Sequence, residues 1–211
     1  MTVRAELGRP VNTALRRQFV ATQSESYRPR GNRLRAAVWG TAAFLLLLPA
    51  IAMQFTNEVV WDETDFIVIG AMLGTACGCY ELVTRLSDNR LFRAGFGLAI
   101  LTSFLLVWVN LAVGFIGTED NRANLMFGGV LLLVIVGAII ARGRPRGMMW
   151  VTAAAAAAHV LIAGIALAGD LGLGDPSWPY DVIGGSGMFV ALWLASSGLF
   201  YWAANEDRVV G

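Results

Sequence analysis

The chain has 211 residues, of which 56% are hydrophobic and only 15% charged; its formal net charge is +1 and its mean hydropathy +0.61. Soluble domains carry about 25% charged residues, so this composition excludes an ordinary water-soluble fold and points to lipid as the solvent. No basic face and no aromatic-interleaved basic run lies beyond the N-terminal arm, which argues against a nucleic-acid partner.

Residues 1–33 read as a basic, polar arm with none of the apolar stretch that a signal peptide needs. We take it as a disordered cytoplasmic segment. A short amphipathic helix on a lipid surface is the alternative, because Val11, Leu15 and Phe19 share one helical face. Beyond the arm, a span of the hydrocarbon core takes roughly 20 apolar residues. Six segments meet that length, at about 34–54, 66–86, 94–117, 125–141, 148–168 and 182–203, and residues 204–211 form a tail. The fold class predicted is all-α, an integral membrane bundle of six transmembrane helices. Buried strands would be 4–8 residues long between turn signals, and a transmembrane barrel would alternate over about ten residues. Neither pattern occurs.

Arginine placement sets the expected orientation. Arg4 through Arg35 precede the first span; Arg85, Arg90 and Arg93 follow the second; Arg142, Arg144 and Arg146 follow the fourth; Arg208 lies in the tail. Only Arg122 falls on the other side, which instead carries Glu58, Asp62, Glu63, Asp65, Glu119, Asp120, Asp170, Asp175 and Asp181. The positive-inside rule then predicts both termini in the cytoplasm. Trp39, Trp150 and Trp202 fall near one interface and Trp61 and Trp178 near the other, while Trp108 and Trp193 sit deeper.

Four groups of residues invite a functional reading. Gly70, Gly74 and Gly78 repeat at four-residue spacing in the second span, where small side chains let a neighbouring backbone approach. That face is read as packing within the bundle or as an interface for a protein partner or a homodimer. His159, the only histidine, lies near mid-depth of the fifth span, and intramembrane ionisable groups are functional candidates by default. Together with Asn110 and Glu81 it makes the candidate intramembrane polar site. Asn110 is expected to bond across to a neighbouring helix, and Glu81 to pair with Arg85 one turn on. The outer loops supply a candidate cation or partner site from Asp62, Glu63, Glu119, Asp120 and Asn121. The alternative for Glu119 or Asp120 is an ion pair with Arg122.

Cys77 and Cys79 are two apart, so a regular helix points them about 200° from each other. They are read as apolar fillers. No catalytic set is present: no nucleophile elbow, no paired histidines, no phosphate-binding glycine loop. A lone histidine rules out a bis-histidine haem, and no cofactor or metal is implied.

Three blocks carry a resemblance. They run from Met53 to Trp61 (MQFTNEVVW), from Phe104 to Gly114 (FLLVWVNLAVG) and from Ile116 to Met126 (IGTEDNRANLM), with Tyr80-Glu81-Leu82 between the first two. Over this stretch the chain resembles a group of uncharacterised bacterial multi-pass inner-membrane proteins. The resemblance covers under half of the chain, and no activity is attached to the group. It implies location and fold and transfers no functional residue. The expected role is therefore a non-enzymatic membrane protein, an accessory, assembly or sensing component that binds a partner. A small proton-coupled or solute transporter or channel is the alternative.

Overall fold

Where no water reaches the backbone, a helix satisfies its own amides and carbonyls, and all six apolar runs become helices. The structure is a computed structural model describing residues 30–56, 60–118 and 120–209, without the side chains of residues 30–34, 86 and 207–209. In chain order the helices are α1 (Arg30–Ala52), α2 (Glu63–Leu86), α3 (Arg90–Ala112), α4 (Met126–Ala141), α5 (Pro145–Ala168) and α6 (Tyr180–Val209). A single 3-10 turn, Arg122–Leu125, leads into α4. Among the described residues there is no strand, and all six helices are long and apolar enough to cross a membrane. The expected arm lies outside the described residues except at its end, where α1 already begins at Arg30. The expected tail is helical as far as Val209.

The helix ends follow from local chemistry. Asp62 starts α2 by accepting from the amides of Thr64 (2.7 Å) and Asp65 (3.0 Å), while the Asp65 carboxylate accepts from the Asp62 amide at 2.9 Å. This reciprocal box satisfies orphan donors of the first turn. Asn89 does the same for α3 through the amide of Phe92. Between α4 and α5 the chain reverses in three residues, with Arg142 and Gly143 at positive φ and Pro145 entering the first turn of α5. Proline costs nothing there, because its missing N–H has no helical partner in any case.

Two compact units divide the chain, residues 1–44 and residues 45–211. Within the larger unit α6 is the central element, packed against α5 and α3; α4 packs on α5, and α2 on α3. The main core gathers Leu106, Phe115, Ile116, Phe127, Val130, Ala155, Ile162, Phe189 and Trp193. A second, smaller cluster of Val83, Phe92, Met148, Phe200 and Ala203 lies towards the arginine-bearing turns. Two serines of α6 tie it to its neighbours: Ser196 Oγ donates to the Gly95 carbonyl of α3 and Ser197 Oγ to the Met149 carbonyl of α5, both at 2.9 Å.

One boundary departs from the sequence reading. Helix α3 ends at Ala112 rather than near residue 117, and the chain turns back inward through Gly114 and Gly117, both at positive φ. Phe115 and Ile116 are consequently buried to 4% and 0% exposure. Non-helical backbone at such a depth needs partners for its polar groups, and Asn124 supplies them. Its Oδ1 accepts from the amides of Phe115 (2.9 Å) and Ile116 (2.8 Å), and its Nδ2 donates to the Thr118 carbonyl at 2.9 Å. The apolar count of residues 113–117 mimics one more helical turn, but a buried asparagine eight residues on makes a folded-back loop cheaper.

Asn124→Ala is expected to lower the thermal midpoint of the detergent-solubilised protein, at a cost of about 1–3 kcal/mol for each buried amide left unpaired. Asn121→Ala, whose bonds lie nearer solvent, should cost less. Equal midpoints for the two variants would show that the loop does not depend on Asn124.

Candidate functional site

The buried face of α5 is Met148, Thr152, Ala155, Ala156, His159, Ile162 and Ala166. Their three- and four-residue spacing turns His159 inward just past the middle of the helix. The small alanines let α6 come close, and the imidazole meets Phe189 of α6 in a stacked pair, ring centroids 5.4 Å apart and planes 8° apart. Phe127, in the first turn of α4, lies 4.9 Å from the imidazole, and Phe115 of the folded-back loop approaches edge-on at 5.8 Å. Phe115 also packs on Phe127 and Phe189. The three phenylalanines thus surround a histidine with no exposed surface.

The position of Phe115 depends on Gly185 in α6. A Cβ at Gly185 would stand 2.5 Å from the Phe115 ring, so any side chain there displaces the ring from its place beside His159. Of the glycines near the start of α6, Gly185 is the one that makes room for this loop.

His159 has no hydrogen-bond partner at either ring nitrogen. A proton relay needs a group to receive from and a group to deliver to, and the phenylalanines provide neither. Asn110 does not join it. Asn110 Nδ2 donates to the Leu106 carbonyl of its own helix at 2.7 Å, and its Oδ1 is buried without a partner. The cross-helix bond expected of Asn110 is replaced by a bond one turn back along α3. Glu81 pairs with Arg85 on α2, as the spacing predicts. The three residues of the expected polar site therefore serve three separate places. Ser186 Oγ and Trp193 Nε1 of α6 are likewise buried without partners.

The glycines of α2 divide between two environments. A Cβ at Gly70 would meet Leu46 of α1 at 3.8 Å, an ordinary contact, whereas nothing lies within 4 Å of the corresponding points at Gly74 and Gly78. Successive four-residue steps on a helix drift by about 40°. Gly70 thus touches a neighbour, Gly74 is half-buried and Gly78 is exposed. Cys77 is buried and Cys79 exposed, both as free thiols.

At the acidic end, Asp62 is committed to capping α2 with Glu63 in its first turn. Asn121 accepts from the Ala123 amide, and its Nδ2 reaches across to the Leu171 carbonyl at 2.7 Å, joining the α3–α4 and α5–α6 loops. Trp61 leans on Trp108 of α3, centroids 6.2 Å apart. Asp120 is exposed and makes no ion pair with Arg122, and Glu119 lies outside the described residues. Asp175 accepts from the amide and hydroxyl of Ser177 (2.8 and 2.5 Å), which holds its carboxyl below the usual range. Among the described residues no three His, Cys, Asp or Glu side chains come together as a metal site. Asp62 and Asp175 each bond the local backbone here.

Sequence reasoning missed Asn124, Gly185, Ser196 and Ser197. The signal for Asn124 was available in the polar block after Gly117, where an asparagine stands at the mouth of an apolar span. No protein-family profile matches the chain, and neither a curated protein nor a solved structure matches it.

His159→Leu removes two unpaired polar atoms from a buried apolar site with little change of volume, a replacement that is neutral or stabilising. Yield and thermal midpoint in detergent are expected to equal or exceed those of the wild type. A clear fall in midpoint would mean that the stack on Phe189, worth about 0.5–1.5 kcal/mol for an aromatic pair, outweighs the unpaired nitrogens.

Proposed function

We propose that the protein is a non-enzymatic component of the bacterial inner membrane, an accessory, assembly or sensing subunit that binds a partner protein or a second copy of itself through α2. The observation that carries this reading is the exposed face of that helix. Ile67, Ala71, Thr75, Gly78 and Leu82 recur at spacings of four, four, three and four, all exposed. Their small central members lie between two bulky apolar ends. Helix association in lipid gains from close backbone approach and from van der Waals contact, which small residues permit. The opposite face of α2, Ile69, Leu73 and Cys77, is already buried in the larger unit. The resemblance of the three sequence blocks to bacterial inner-membrane proteins agrees with this setting.

A photo-crosslinking amino acid at Thr75, in native membranes, is expected to yield one discrete protein adduct. Gly78→Leu should abolish that adduct, since the bulk falls on the open face, without lowering the yield of folded protein. The same probe at Leu101 or Val160, exposed on α3 and α5, should capture lipid. Lipid alone at Thr75 would sink the proposal.

Both termini in the cytoplasm belong to the same reading, supported by the fifteen arginines on one side against Arg122 on the other. A C-terminal green fluorescent protein fusion is expected to fluoresce and a C-terminal alkaline phosphatase fusion to be inactive; phosphatase activity would reverse the orientation.

The partnerless buried atoms of Asn110, His159, Ser186 and Trp193 are what favours the second reading, a small proton-coupled or solute transporter or channel. The phenylalanines packed around His159 weigh against it, because they close the middle of the bundle to a hydrated path.

A further inference from the structure

The α4–α5 turn holds an open cavity of about 340 Å³ lined by Ile139, Ile140, Arg142 and Arg144. Its composition is amphiphilic. Ile139 and Ile140 are 69% and 74% exposed at the end of a helix long enough to span the bilayer. Both arginines are exposed, and neither guanidinium makes an ion pair among the described residues. No neutralising carboxylate is built into this hairpin, for the sequence contains no Asp or Glu between Asp120 and Asp170. Arg142 is also held in place by the backbone, as the left-handed residue (φ 49°) that ends α4, and Arg144 immediately precedes Pro145 of α5. One turn therefore sets the backbone of both arginines close together beside an apolar wall.

We infer that this cavity binds the phosphate of an anionic phospholipid, with Arg142 and Arg144 on the headgroup and the upper acyl chain against Ile139 and Ile140. Guanidinium is suited to the task, since its planar fork gives paired, charge-assisted bonds to phosphate oxygens. The turn ends two spanning helices and so lies at headgroup level, where basic pockets recognise anionic lipids. A free phosphate would use the arginines and leave the isoleucines without a role, which is why a lipid is the occupant chosen. The site is independent of the partner-binding face on α2.

Native mass spectrometry of the full chain, delipidated in detergent and then supplied with single lipids, tests this. One phosphatidylglycerol is expected to stay bound under activation with a roughly tenfold preference over phosphatidylcholine, a factor in keeping with charge-assisted contacts. Arg142→Gln with Arg144→Gln should erase the preference, Arg144→Gln alone should weaken it, and Arg122→Gln at the opposite end should leave it intact. Equal retention of the two lipids would overturn the inference, as would a preference that survives loss of both arginines. Displacement of the lipid by millimolar inorganic phosphate alone would reassign the site to a free anion and equally overturn it.

Discussion

The hydrogen bonding of main-chain amides and carbonyls in a medium without water is the constraint on which this structure depends. Six helices meet it inside themselves. The difficulty arises where the chain leaves helical geometry at a buried depth, at Phe115 and Ile116. A single asparagine meets it there, presenting one acceptor to two amides and one donor to a carbonyl. Because Asn124 holds the loop inward, Phe115 can reach the core, and because Gly185 has no side chain, α6 can receive it. Polar satisfaction and apolar packing are here one arrangement, and neither half would hold without the other.

The sequence makes the helices legible because twenty-residue apolar runs have few other solutions. It makes boundaries less legible, and the end of α3 shows why. Residues 113–117 are apolar enough to extend the helix, but Gly114 and Gly117 take left-handed backbone and Asn124 bonds the amides between them. Pairwise chemistry within one helix was also readable: Glu81 and Arg85 sit together because their separation alone places them on adjacent turns. Convergence between helices was not. Whether His159 meets Asn110 depends on helix rotation and on which helices neighbour each other, and neither is written in the composition of a single span.

The same distinction separates the two faces of α2. Periodicity places Gly70, Gly74 and Gly78 on a common stripe, but the structure divides them, since the neighbouring contact at Leu46 reaches only the first. What a small-residue stripe is for depends on what lies against it. Here the first glycine of the stripe meets a neighbouring side chain and the other two have open space where a Cβ would stand.

Most hydroxyls in the spans are self-sufficient. Thr75, Thr102, Ser103 and Thr152 all donate to carbonyls one turn back on their own helix. Ser196 and Ser197 of α6 differ, for their acceptors sit on α3 and α5. A carbonyl oxygen has two lone pairs, so these bonds fasten α6 to α3 and α5 without taking an acceptor from either helix's own ladder.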